Sequence, residues 1–186
     1  VRVFREEGLG VLQRDWERRF RKHPETSFAW RLGYYHWHPQ YRTLAYYRLR
    51  EAAAAVWIRG IFARLYERAS RRSGLEIHCP RLAGGVLMPH WGRILLNASE
   101  IGEDLYVFHN VTVGNDYRTG IPKIGKSVFI GAGAMILGKV VIGDGVVVAA
   151  GSVVLDDVPS GSLVAGNPAR VIRAVTDEYR RELVKY

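Results

Sequence analysis

The sequence predicts a mainly β chain, a parallel β-helix built from six-residue repeats and preceded by an α-helical region. Three observations predict it. An aliphatic residue recurs at every sixth position through most of the second half. Glycine crowds into that half, with 15 of 20 between Gly84 and Gly166. Charge and rings crowd into the first: residues 1–75 hold 14 of the 21 aromatics and 16 Lys or Arg against 7 Asp or Glu. Residues 76–186 balance at 11 against 11, so the whole net charge of +9 belongs to the first 75. A shift this abrupt near Ser73–Gly74 marks a boundary. The organisation expected is a basic, aromatic-rich helical region over 1–75, a β-helix over 76–174, and a tail with a short helix over 175–186.

The helical region rests on composition. Residues 42–72 are rich in Ala, Leu and Arg and hold no proline, so intrinsic propensity favours one long helix. Leu49, Ala52, Ala53, Val56, Trp57, Gly60 and Ala63 keep a three-to-four spacing that predicts a single buried face. A shorter helix is expected over 10–22, ended by His23–Pro24. The arginines either solvate one face while the rings pack beneath, or form a surface drawn to an anionic membrane, lipid-linked phosphate or glycan. No groove-reading motif is present, so nucleic acid is not an expected partner.

One cysteine, Cys79, closes no disulfide within the chain, and a reducing cytoplasm is the expected compartment. Uncharged runs such as 145–155 span 11 residues, short of the ~18–20 that cross a bilayer. No secretory leader pattern opens the sequence.

The repeat is read from its phase. Ile101, Val107 and Val113 stand six apart, and after a break Ile124, Ile130, Ile136, Ile142, Val148 and Val154 continue the step. Upstream, Leu82, Met88 and Ile94 keep it, with one extra residue before Ile101. A step of six fits neither a helix nor an alternating strand. It fits short strands wound into a triangular prism, aliphatics inward and glycines at the corners. Residues about eighteen apart then stack ~4.8 Å from one another. In that phase His90 and His109 each stand third in their hexads, and the same column continues through Ala132 and Ala150. Two histidines leading into two alanines suggest a reactive end opening onto a smooth groove for a thin ligand.

The segments PKIGKSVFIGAGAMILGKVVIGDGVVVAAGSVVLDDVPSGSLVAGNPARVI, VFHNVTVG and GLEIHCPRLAGGVLMPHWG resemble the hexapeptide-repeat acetyltransferases, in their serine acetyltransferase-like branch, over about residues 75–174. The resemblance implies a left-handed prism, a homotrimer or a dimer of trimers, and acetyl-CoA as co-substrate in the groove between neighbouring prisms. It places the family's catalytic histidine on His90, as general base toward an acceptor hydroxyl. The orienting carboxylate falls on Glu76, with Glu where the family has Asp. Contacts to the pantetheine arm carry over to Ala132, Gly133, Ala150 and Gly151, and a phosphate contact to Arg170 or Arg173. The loop Asn115–Lys123 corresponds to one that folds over a neighbouring site; Asn115 and Arg118 on it are assigned to the acceptor, together with Trp91 and His109.

The acceptor is where the pattern departs. The family's serine-binding aspartate before the histidine is Pro89 here, and its Arg-His pair is Gly120–Ile121. A charged amino acid without partners in a closed site costs several kcal/mol. Proline at that position resembles the short enzymes of capsule and exopolysaccharide clusters, so the expected acceptor is a sugar hydroxyl, with L-serine the alternative. Cytoplasmic action, with peripheral membrane contact open, goes with that reading.

Other readings stand beside these. His90 could order a turn, His109 could cap a coil edge, Trp91 could merely pack, and Glu76 could serve an ion pair. His78 is expected to be structural, and His23, His36 and His38 to lie at the surface or between helices. No metal is expected, because His78, His90 and His109 lack the spacing of a zinc set. A covalent acyl-enzyme is not expected, since Cys79 has no evident base. A non-catalytic scaffold remains the reading from another class.

Overall fold

A computed structural model describes residues 6–21 and 26–183. The chain divides into two compact units, residues 1–75 and 76–186.

Among the described residues the first unit holds four helices: α1 (Glu6–Phe20), α2 (Phe28–Trp37), α3 (Pro39–Ala52) and α4 (Val56–Ser73). The stop expected at His23–Pro24 lies outside the described residues. Ser27 caps α2 by accepting from the Trp30 N–H at 3.2 Å, and Pro39 opens α3, where its missing N–H costs nothing. The single long helix expected over 42–72 is instead two, broken at Ala53–Ala55. Packing overrides propensity here. Ala53 is fully buried with an extended backbone, and the break lets α4 fold back along α3, bringing Tyr66 to 5.9 Å from Tyr47, ring to ring. The Arg59 guanidinium donates to the Ala53 carbonyl at 3.2 Å, replacing a bond that the lost turn would have made. The predicted buried face splits with the helix: Ala52 and Ala53 are buried, whereas Val56 and Trp57 are 84% and 70% exposed.

The unit's core is aromatic. Phe20, Tyr41, Leu44, Tyr47, Ile58 and Tyr66 are buried, and arginines lie over the rings, as Arg19 does over Tyr34 at 4.5 Å and Arg50 over Tyr66 at 4.8 Å. Inside this core Arg48 of α3 donates to Asp15 of α1 at 2.9 Å, the two side chains 5% and 0% exposed.

His38, half-buried between α2 and α3, stacks on Tyr34 at 3.7 Å. Burial first, and the Arg19 charge second, lower its pKa from the usual 6.5. Below 6.5 the unfolded chain therefore binds a proton that the folded one refuses, and stability falls as the pH drops toward the lowered value. The unfolding midpoint should decline as the pH falls through the usual 6.5 and below it, and His38→Gln should flatten that slope. An equal slope in the variant would remove His38 as the cause.

The second unit is the coil. Its strands are β1 (Leu75–Ile77), β2 (Ile94–Leu96), β3 (Glu100–Ile101), β4 (Tyr106–Val107), β5 (Val111–Gly114), β6 (Lys123–Ile124), β7 (Phe129–Ile130), β8 (Met135–Leu137), β9 (Val141–Ile142), β10 (Val147–Val148), β11 (Val153–Val154), β12 (Ser162–Gly166) and β13 (Ala169–Ala174). They form three faces, ordered β1-β2-β5-β8-β11, β4-β7-β10-β12-β13 and β3-β6-β9. Ile124 pairs with Ile142, Ile130 with Val148 and Ile136 with Val154, all parallel and eighteen residues apart. The inward hexad residues from Ile94 to Val154 are at most 2% exposed. Each such burial contributes about 1.5–3 kcal/mol.

The Gly102–Gly125–Gly143 corner shows why a side chain is excluded. A Cβ on Gly125 would lie 2.8 Å from the Asp144 N, and one on Gly143 2.4 Å from the Ser160 N. Corner amides are satisfied by side chains of the next coil: Asp144 accepts from Lys126 N–H at 2.7 Å, and Ser160 Oγ from Asp144 N–H at 3.0 Å. The coil ends differently from how it runs, since β13 turns back antiparallel on β12. A short helix, α5 (Asp177–Leu183), follows.

Candidate active site

The column expected from the six-residue phase is present. Leu87 pairs with Tyr106 in parallel, which sets His90 and His109 at one corner of consecutive coils. Their rings lie 5.9 Å apart at 85°. One coil further the His109 carbonyl accepts from the Gly133 N–H at 3.0 Å, and beyond it the Ala132 carbonyl accepts from the Gly151 N–H at 2.8 Å. Gly133 and Gly151 have φ of +70° and +69°, and a Cβ on either would meet nothing within 4 Å. Backbone conformation requires glycine there, and the flank beside it is open. The strip leaves room for a thin chain lying along exposed peptide groups.

His90 itself is exposed, with its ring 5.3 Å from Phe108. Phe108 rests on Tyr106 at 5.5 Å and Phe129 at 5.4 Å, and those two stack at 5.1 Å and 11°. This aromatic stack braces the imidazole, and sequence reasoning missed it. The signal was available, because Tyr106 and Phe129 each stand one residue before an inward hexad position.

His109 is held from the other side by Gly92. A Cβ there would come within 2.4 Å of the His109 Cβ, so a side chain at 92 would push the ring away. The Nδ1 of His109 is buried and has no hydrogen-bond partner among the described residues. A buried, unpaired ring nitrogen carries a desolvation cost of about 1–3 kcal/mol, which a ligand or partner group supplying a hydrogen bond would offset.

Glu76 is not joined to His90 by a hydrogen bond or an ion pair. It is exposed on β1, with its carboxylate 3.8 Å from the Nε2 of His78, itself exposed. The structure thus brings His90 to His109 and pairs Glu76 with His78. His36 is exposed and His38 packs between helices, while His23 lies outside the described residues. Trp91, beside His90, is 66% exposed.

The loop at 115–122 is organised by Asp116. Its carboxylate accepts from Arg118 N–H at 3.0 Å, Thr119 N–H at 2.8 Å, Gly120 N–H at 3.3 Å and the Thr119 hydroxyl at 2.9 Å. These bonds, the Thr119 amide foremost, hold the carboxyl well below the usual carboxylate range. The Thr119 Oγ1 also accepts from Lys139 N–H at 2.8 Å, tying the loop to the coil. Asn115 accepts from Tyr117 N–H at 2.6 Å, Arg118 is exposed, and Tyr117 projects from the tip, 94% exposed.

At the far end Arg170 pairs with Asp156 at 3.1 Å, both exposed, and Arg173 lies over Tyr179 at 4.4 Å. An exposed pair of this kind is worth at most about 1 kcal/mol, so Arg170 can turn to a phosphate at little cost. Among the described residues no three His, Cys, Asp or Glu stand together as a metal set.

Comparison with known proteins agrees with this geometry. The family model described as bacterial transferase hexapeptide (six repeats) matches residues 121–156. Serine acetyltransferase 2 of Arabidopsis thaliana is 40% identical over 146 residues, covering 74% of this chain and 44% of that one. The serine acetyltransferase of Helicobacter pylori is 32% identical over 140 residues, covering 73% of this chain and 82% of that protein. The crystal structure of Brucella abortus serine acetyltransferase in complex with coenzyme A aligns with a TM-score of 0.72 at 26% identity, over 91% of this chain and 69% of that one. The chain spans less than half the length of the Arabidopsis relatives it matches. The prism is the left-handed β-helix of these enzymes, and this chain belongs to the serine acetyltransferase family of hexapeptide-repeat transferases.

Proposed function

We propose that the protein is an O-acetyltransferase that uses acetyl-CoA, with His90 as general base and no covalent acyl-enzyme. The observation that carries this reading is the continuous column from His90 and His109 onto the open strip of Ala132–Gly133 and Ala150–Gly151. The neutral His90 imidazole takes the proton of the acceptor hydroxyl as that oxygen attacks the thioester carbon. The carbon–sulfur bond breaks, and the imidazolium returns its proton to the departing sulfur. Phe108 holds the ring, and the unpaired Nδ1 of His109 is offered to the bound reactants.

The relatives support L-serine as the acceptor, the alternative of the two sequence-based expectations. The sugar hydroxyl keeps one specific observation in its favour: Pro89 and Gly120–Ile121 offer neither carboxylate nor cation to an amino acid. The exposed Trp91 adds a ring on which a sugar could stack. A capsule or exopolysaccharide setting belongs only to this second reading.

The working unit in this proposal is a homotrimer, with the strip of one prism facing the loop at 115–122 of the next. A cytoplasmic site of action, where acetyl-CoA is drawn, completes the proposal.

Thiol release from acetyl-CoA decides between acceptors. With L-serine at about 10 mM, at or above the usual KM range, serine-dependent release is expected, with O-acetylserine as product. Thermal stabilisation by CoA without serine turnover would shift the reading to glycans. No effect of CoA on the unfolding midpoint, at a concentration where a binder gains ~2.7 kcal/mol, would leave only the scaffold.

A further inference from the structure

The outward face of α4 has a composition that the transfer reaction does not use. Trp57, Ile61 and Leu65 stand four residues apart and are 70%, 51% and 37% exposed, with Val56 beside them at 84%. At 100° per residue, Arg64, Arg68, Arg71 and Arg72 fall on the same half of the helix circumference. All four are exposed, and among the described residues none of their guanidinium groups makes a hydrogen bond or an ion pair. Glu67 is the one acidic residue on that arc. The inward half, Ile58, Tyr66 and Ala69, is buried against the rest of the unit. This helix is therefore anchored on one side and presents rings, aliphatics and unpaired cations together on the other.

We infer that this face docks onto an anionic bilayer surface, Trp57, Ile61 and Leu65 entering the headgroup boundary and the four arginines meeting lipid phosphates. Charge complementarity selects the occupant. A second copy placed face to face would bring four unpaired arginines against four more, within a region already carrying the whole net charge of +9. A polyphosphate or nucleic acid would satisfy the arginines and leave the tryptophan and isoleucine in water. A bilayer surface alone serves both sets: apolar side chains find hydrocarbon, the indole finds its preferred depth, and the long arginine side chains reach back to phosphates. None of the described helices is long and apolar enough to cross the membrane, so the attachment is peripheral. The inference does not depend on the transfer reading, because α4 takes no part in the column of His90.

The test is co-sedimentation of the full chain with vesicles of phosphatidylglycerol and phosphatidylcholine, against phosphatidylcholine alone, read with tryptophan emission. Binding to the anionic vesicles only, weakened by salt and accompanied by a blue shift, is expected. The variant with Arg64, Arg68, Arg71 and Arg72 changed to Gln should bind at least ~100-fold more weakly, since each cation near the surface contributes severalfold. A second variant, Trp57→Ser with Ile61→Ser, should lose the blue shift and most of the binding while its circular dichroism and CoA-dependent stabilisation stay unchanged. Absence of binding to anionic vesicles, or binding by both variants equal to that of the parent, would overturn the inference. So would a drop in the solution mass of the Ser variant without vesicles, which would show that a second copy covers the face.

Discussion

Replacing His90 by alanine should lower kcat by ~10²–10⁴ while leaving CoA affinity almost unchanged. The split follows from the geometry. His90 stands at the end of the column, and the strip assigned to the pantetheine arm begins two coils away, at Ala132. Removing the imidazole takes out the proton acceptor and leaves the strip intact. Near-normal turnover by the variant would transfer the role to His109, whose ring lies 5.9 Å away. His109→Ala provides the complementary reading, with a larger effect on KM than on kcat expected if its unpaired nitrogen serves binding.

The second large effect concerns stability. Asp15→Ala leaves the Arg48 guanidinium without its carboxylate partner in a core where that arginine is 5% exposed, and should cost about 3–5 kcal/mol. Removing both charges is a different experiment. Asp15→Leu combined with Arg48→Met replaces the pair by apolar volume, and most of the loss should be recovered. Denaturant unfolding followed by tryptophan emission reads this unit selectively, because four of the five tryptophans lie in the first 75 residues. A loss below about 1 kcal/mol in the single variant, the range of a surface pair, would mean that water reaches the arginine.

The two units differ in how much of each was legible. In the coil one rule repeats, and each inward Ile or Val is chosen by the same environment, so the phase at Ile124 to Val154 identified the fold. Carrying that phase upstream also placed His90 over His109 and both over Ala132 and Ala150. What escaped was set by geometry with no period: the Phe108 stack, the partner of Glu76, and the antiparallel return of β13. The helical unit has no such repeat. Its break at Ala53–Ala55 falls within four successive alanines, where local propensity argues for continuation and only the packing of Tyr66 against Tyr47 argues against it. The Asp15–Arg48 pair spans 33 residues, and in sequence both look like members of a solvated, charged face. The loop was located by its interruption of the hexads, but its order comes from one carboxylate gathering three amides.

That interruption has an evolutionary consequence. Ile101 pairs with Ile124 across a step of 23 residues, and Ile124 with Ile142 across 18. The five-residue surplus is expelled at a corner, and the stacking of aliphatics resumes with no inward position displaced. Insertions and deletions at 115–122 are therefore invisible to the hydrophobic interior. Lineages can lengthen, shorten or rewrite this segment without renegotiating the stacked interior of the prism. An inherited coil is thereby separated from a loop free to drift, and gene duplication followed by loop remodelling is enough to give the same prism a new surface.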